Sequence, residues 1–161
     1  MRPATESDYG IVARICVAAY DAENLIVGDY ASRLADVAER AAHSDVLVAE
    51  DPATGVVLGS VTFVRPGTPF AEMSRPDEAE FRMLAVDPAA QRRGVGTTLT
   101  LACLDRAAAL GYAAVVICTR PVSAPALAMY AGLGFVRVPE RDLMPEPGLI
   151  LIALRAAVRP G

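Results

Sequence analysis

The chain has 161 residues, 53% of them apolar and 21% charged, with 19 acidic side chains against 15 basic ones and a net charge of −4. That is enough chain and enough apolar surface for a single domain over residues 1–161 with its own core, and it argues against a disordered segment and a broad basic face for nucleic acid. Every basic residue is Arg, and a local anion site stays open within the acidic whole. Ser7 stands where it caps a helix reaching about Ala19, with Ile11, Val12, Ile15 and Ala19 on one face. Met1-Arg2-Pro3 leaves almost no room for a strand before that helix, so a shortened or missing first strand is expected. A second helix over Asp29–Ala42 carries the stripe Tyr30, Leu34, Val37 and Ala41.

Val46–Glu50 and Val56–Val64 are rich in β-branched residues, and Asp51-Pro52-Ala53-Thr54-Gly55 separates them as a turn, so they read as an antiparallel hairpin. The loop Arg65–Asp77 holds Pro66, Gly67, Pro69 and Pro76 and has the length of a binding loop. Glu80–Val86 returns to strand, and Asp87-Pro88 ends it. A helix follows Gly94 and Gly96 and runs to Leu110, with Gly111 as its C-cap. It is apolar on most sides, so it is expected to be covered rather than surface-lying. Ala113–Thr119 is a nearly all-apolar strand, and strand, helix and strand in this order predict a βαβ crossover with parallel pairing. Ala124–Ala131 is a short helix, and Phe135–Val138 and Leu149–Leu154 are two last strands joined by a Pro-rich loop. The order of elements predicts a mixed sheet in an α+β or α/β domain.

Cys16, Cys103 and Cys118 lie far apart in apolar stretches and the chain has one histidine, His43, so neither a disulfide framework nor a metal site is supported. No signal-peptide core and no apolar run of about 18–20 residues is present, so a cytoplasmic protein without a membrane partner is expected. His43 follows a helix and has no Ser or Cys partner at a recognisable spacing, so it reads as complementing the helix C-terminus.

Leu84–Gly96 carries the chemistry. A strand ends, a short loop follows and a helix opens at Gly94-Val95-Gly96. The first amides of a helix have no internal partners and the macrodipole adds positive charge there, which suits a phosphate or diphosphate. Arg92 and Arg93 add cationic charge, and Thr97 and Thr98 offer hydroxyl donors. The Gly-Lys-Ser/Thr of a Walker A loop is missing, and a lone late G-x-G is not a Rossmann fingerprint.

Gln91-Arg92-Arg93-Gly94-Val95-Gly96 resembles the GNAT acetyltransferase signature Q/R-x-x-G-x-G/A, and Leu84-Ala85-Val86-Asp87-Pro88 resembles its L-x-V-x-P lead-in. Met129-Tyr130-Ala131-Gly132-Leu133-Gly134-Phe135 is similar to the second signature, L-Y-x-x-x-G-F, with Met in place of Leu. The N-terminal half resembles the family in element order and in Arg2-Pro3-Ala4-Thr5 with Asp8. The resemblance implies a GNAT fold: one mixed, largely antiparallel sheet of six to seven strands, helices on both faces, and parallel pairing at the fourth and fifth strands.

It also implies acetyl-CoA as cosubstrate, without a metal, and an N-acetyltransferase acting on a primary amine. The diphosphate would lie on the amides of Gln91, Arg92, Arg93, Gly94, Val95, Gly96, Thr97 and Thr98. The pantetheine arm would run along Leu84, Ala85 and Val86, where a backbone N–H polarises the thioester carbonyl. Tyr130 falls at the family's general-acid position. Glu80 falls where many members carry a Glu and reads either as the general base or as a structural ion-pair partner; by alternation it shares a face with Arg82, Leu84 and Val86. Asp77 and Glu78 are weaker base candidates. Ser123 stands where the family often has Asn toward the pantetheine, and reads equally as the N-cap of the next helix.

Family acceptor sites point to Asp21–Tyr30, Arg65–Asp77 and Arg141–Gly148, whose Asp21, Glu23, Asp29, Tyr30, Phe70, Glu72 and Met73 would suit a cationic small-molecule amine. Two other readings use the same cofactor loop: a non-catalytic CoA-binding module, and a protein N-terminal acetyltransferase. The family also admits a homodimer, for which the sequence fixes no interface.

Overall fold

Strand order in space follows strand order in sequence with one exception. The computed structural model describes residues 1–159. Its strands are β1 (Arg2–Pro3), β2 (Asp45–Glu50), β3 (Val57–Val64), β4 (Glu78–Val86), β5 (Ala114–Thr119), β6 (Val136–Arg137), β7 (Leu143–Glu146) and β8 (Leu149–Ala157). They form a sheet in the order β1-β2-β3-β4-β5-β8-β6, with β7 paired to β8. All pairings are antiparallel except β4 with β5. This is the mixed sheet the sequence points to, with the short β1 and the edge strand β7 bringing it to eight. Pro145 of β7 cannot donate to a ladder, and β7 sits where that is tolerated, paired to β8 alone across a register shift.

Two cores flank the sheet. On one face, α1 (Tyr9–Ala22), α2 (Tyr30–Ala35) and α3 (Val37–His43) bury Val12, Ile15, Leu34 and Val37 against Val46, Val48 and Ala85. On the other, α4 (Val95–Ala109) and α5 (Ala124–Gly132) bury Leu99, Cys103, Ala107 and Tyr130 against Val61, Phe63, Phe81 and Ile117. Among the described residues no helix is long and apolar enough to cross a membrane.

Three local readings are revised. Ser7 is not the first cap: a 3-10 turn over Glu6–Asp8 precedes α1, and the Asp8 carboxylate accepts the Thr5 amide at 2.7 Å while pairing with Arg2 at 2.7 Å. The second helix is two helices, because Asp36 leaves helical geometry (ψ 71°) and its side chain accepts the Glu39 amide as a new cap. Arg40 secures the break from inside: fully buried, it donates to Leu34 O at 3.0 Å and to Met83 Sδ at 2.8 Å. Finally, α4 is covered on one side only. Leu101 and Leu110 are 42% and 45% exposed, so its apolar outer positions face solvent.

The bend in β4 positions the site. Ser60 lies opposite Ala85 and Thr62 opposite Arg82, so β4 holds one residue more than β3 between these pairs. Met83 takes up the excess with φ 54°, a left-handed value costly for a side-chain-bearing residue. Alternation therefore breaks after Arg82. Phe81, Leu84 and Val86 pack toward α4, whereas Met83 and Ala85 pack toward α1. The expectation that Glu80 and Arg82 share a face with Leu84 and Val86 is overturned by this bulge.

Candidate active site

β4 and β5 are hydrogen-bonded neighbours only from Glu78–Glu80 to Ala114–Val116. Past this point β4 bends at Met83 while β5 stays paired with β8 up to Thr119. The strands part, and a cavity of about 460 Å³ opens between them. Leu84, Ala85 and Val86 wall one side, Cys118, Thr119 and Arg120 the other, and Gly94–Thr97 and Tyr130 close its ends.

The α4 end is shaped for an anion. Arg92 (φ 64°) and Gly94 (φ 78°) are both left-handed, alternation of the kind that turns successive backbone N–H groups inward. No side chain caps α4, so its first amides stay free to donate. Space beside the Gly94 Cα is open, since an added Cβ would meet nothing within 4 Å. Gln91, Arg92, Val95, Gly96 and Thr97 line the cavity, so the donors present fit a diphosphate. Two expected members turn away. Arg93 pairs with Asp51 at 3.2 Å, and Thr98 donates its hydroxyl back to Gly94 O at 3.0 Å. Gly59 of β3 seats this end of the helix: a Cβ there would lie 2.8 Å from Ala85 O and 2.9 Å from Val95 Cγ1.

Tyr130 stands at the other end. Its ring packs edge-on against Phe135 at 5.6 Å and tilted against Phe81 at 6.1 Å, and burial pushes its phenol well above the ordinary range. Ser123 also lines the cavity and precedes α5 in extended geometry, without making a side-chain cap bond.

Glu80 is fully buried and lines neither this cavity nor the one below. Its carboxylate accepts the amides of Glu72 (3.1 Å), Met73 (3.2 Å) and Ser74 (3.3 Å), pinning the Arg65–Asp77 loop to the sheet. Burial raises its carboxyl above the ordinary value against the pull of those amides. The Glu80–Arg82 ion pair is absent, because Arg82 pairs with Glu72 at 2.7 Å instead. Glu78 is spent as well, held by Arg141 at 2.8 Å and Arg155 at 2.9 Å.

The profile of the acetyltransferase (GNAT) family matches residues 13–135. The chain belongs to the GNAT acetyltransferase family. A mycothiol acetyltransferase of Nocardioides sp. (strain ATCC BAA-499 / JS614) is 46% identical over 56 residues, 35% of this chain. The match spans only 19% of that relative's length. Among solved structures, a GNAT-family acetyltransferase from Staphylococcus aureus Mu50 superposes with a TM-score of 0.75 at 13% identity, covering 98% of this chain and 97% of that one. YncA from Salmonella typhimurium, a putative acetyltransferase solved with acetyl-CoA, superposes with a TM-score of 0.68 at 23% identity, covering 99% and 94%.

This GNAT domain has a second cavity of about 240 Å³ on the α1–α2 side. Of the residues expected around an acceptor, Asp29, Tyr30 and Glu72 line it, joined by Pro145 and Glu146 of β7. Glu23 lines the larger cavity instead, and Asp21, Phe70 and Met73 line neither. The two cavities share Tyr20, Leu25, Arg82, Met83, Cys118, Thr119 and Arg120 as a common wall. Of these seven, only Leu25 falls in a stretch that the sequence points to, Asp21–Tyr30; the other six are not expected at the site from sequence. Tyr20 had a signal: it lies four residues beyond Cys16 on the buried face of α1, past the expected helix end at Ala19. Burial raises the Tyr20 phenol well above its ordinary value and pushes the Cys118 thiol up to about 12.

Proposed function

We propose that this chain transfers the acetyl group of acetyl-CoA to the primary amine of a small molecule by direct attack in a ternary complex. The observation that carries the reading is the cavity between the parted strands, which runs from the uncapped amides of α4 to Tyr130 and shares a wall with a second cavity. One cavity accommodates the acetyl donor and the other the acceptor, so the reacting atoms meet at the shared wall without a covalent enzyme intermediate.

The amides of Arg92–Thr97 and the Arg92 guanidinium bind the diphosphate. The bent edge of β4 at Leu84–Val86 offers N–H and C=O groups to the amide-bearing arm and one N–H to the thioester oxygen, where negative charge develops. The amine nitrogen attacks the carbonyl carbon, a C–N bond forms, the C–S bond breaks, the thiolate takes the proton of the Tyr130 hydroxyl, and the surplus proton on the acylated nitrogen restores that hydroxyl. A buried phenol is a weak acid, but burial also raises the Cys118 thiol on the neighbouring wall, and a leaving thiolate in that setting is correspondingly basic.

The acceptor arrives mostly as an ammonium ion and must lose a proton. Of Glu72 and Glu80, Glu72 lines the acceptor cavity, its Oε1 held by Arg82 at 2.7 Å and its Oε2 beside the Cys118 thiol, while Glu80 lies outside the cavity with both oxygens engaged by loop amides. Glu72 therefore takes the amine proton, directly or through water, and Glu80 positions it by holding its backbone.

The test is calorimetry with CoA and acetyl-CoA, followed by thiol release with a panel of amines. Micromolar binding and amine-dependent release are expected. Binding with no release on any amine would favour a CoA-sensing module, and no binding would overturn the reading altogether.

A further inference from the structure

The acceptor cavity is bipolar. Arg33, Arg82 and Arg120 line it together with Asp29, Glu72 and Glu146. Arg82 pairs with Oε1 of Glu72 at 2.7 Å and, among the described residues, leaves Oε2 without a cationic partner. Among the described residues, the remaining four have no opposite charge within salt-bridge distance, although Asp29 and Arg33 are only four positions apart along the chain. Unpaired surface charges are common singly. Two of each sign around one small concavity, supplied by three separate stretches of chain, form a complementary field for a ligand with both charges.

The charges are ordered along the cavity. Tyr20 is on the wall shared with the donor cavity, its ring lies 5.9 Å from that of Tyr30, and the Arg33 guanidinium carbon lies 5.9 Å from the Tyr30 ring centre. Glu72 sits at the inner end, where its Oε2 is 3.5 Å from Cys118 Sγ. A ligand whose ammonium faces Glu72 directs its far end along the two tyrosine rings toward the guanidinium of Arg33.

Resting on the acetyltransferase reading above, we propose that the acceptor is a small zwitterion of the amino-acid type, whose amine is acetylated beside Glu72 and whose anionic group is held by Arg33. The product has lost its positive charge and keeps the anion, so it forfeits the attraction to Glu72 and leaves more readily than the substrate.

The test uses matched probes: free amino acids, their amides, the corresponding decarboxylated amines, and O-phosphoethanolamine beside ethanolamine. Thiol release should give kcat/KM at least about tenfold higher for the anionic member of each set. The phosphoethanolamine arm tells a phosphate acceptor from a carboxylate one. Arg33→Ala, an exposed position away from the donor cavity, should raise KM for the preferred zwitterion about tenfold and shrink its advantage over the amide. Arg120 borders both cavities, so Arg120→Ala is read separately against acetyl-CoA and acceptor. Equal rates for zwitterion, amide and amine, or an Arg33→Ala variant that leaves the preference intact, would overturn the proposal while leaving the acetyltransferase standing. A peptide amine that outperforms every amino acid would also overturn it. Absence of turnover on all probes would instead count against the acetyltransferase reading.

Discussion

Glu72 and Arg82 form an ion pair of 2.7 Å at the junction of the two cavities, and Glu80, two residues before Arg82, holds the Glu72 amide at 3.1 Å from within the sheet. The pair belongs to a loop and a strand that pack face to face, and Arg82 extends the grip by donating to Phe70 O at 3.0 Å. In the proposed mechanism the β4 strand would thus carry the thioester-facing edge and also aim the carboxylate that faces the amine.

Substituting these two carboxylates should have separable effects. Glu72→Gln keeps an acceptor for Arg82 but removes the base, so kcat/KM for amines should fall about 10- to 100-fold while acetyl-CoA affinity by calorimetry stays within about twofold. The loss should be largest at the low-pH side of the rate profile, where the amine is most fully protonated. A rate equal to the parent's across that profile would remove Glu72 from proton transfer.

Glu80→Gln places an amide NH₂ among backbone donors that need acceptors. A buried donor facing donors costs about 1–3 kcal/mol. The expected result is a lower melting temperature and a raised acceptor KM, with the shape of the pH–rate profile retained. A profile that loses its acidic limb without loss of stability would instead make Glu80 the base.

Tyr130→Phe removes the proton donor and keeps the ring contacts with Phe135 and Phe81. The expected outcome is kcat lower by about 10²-fold at neutral pH, with a melting temperature close to the parent's. Thiol release in single-turnover mixing reads the chemical step directly, and an unchanged rate there would mean that solvent protonates the thiolate.

Gly59 allows β3, Ala85 of β4 and the first turn of α4 to touch. Gly59→Ala would drive a methyl to 2.8 Å from a backbone oxygen and 2.9 Å from Val95. Overpacking of this kind costs about 1–3 kcal/mol, and relief requires the start of α4 to lift from the sheet. Denaturant unfolding should show the loss, and CoA affinity should weaken because the diphosphate amides move with the helix.

Glu78 contributes to acid stability. Desolvation raises its carboxyl, but hydrogen bonds from Arg141 and Arg155 outweigh that and bring it from 4.5 to about 2. A carboxyl depressed on folding contributes stability above its unfolded value, lost as pH falls through the folded one. The contribution is on the order of 3 kcal/mol at neutral pH, and it drains between about pH 4.5 and 2. Glu78→Gln should therefore be destabilised at pH 7, with the gap to the parent closing as pH drops through that window in urea titrations. A gap independent of pH would show that the ion pairs contribute nothing.

The sequence by itself determined the order of elements, the parallel step at β4 and β5, the glycine turn at Gly94–Gly96 and the tyrosine of α5. These are local signals, fixed by turn chemistry, by β-branching and by spacing along one stretch of chain. The tertiary structure decided the rest, because each case depended on a partner distant in sequence. The bulge at Met83 arises from mismatch with β3 and reverses which β4 side chains face α4. Glu80 became an anchor for a loop because three amides of residues 72–74 converge on it, and Glu72 thereby became the carboxylate at the junction. Arg33, Arg120 and Glu146 reached one cavity from α2, the segment after β5, and β7, a meeting that no periodicity encodes, since long-range packing alone brings such residues within reach of one ligand.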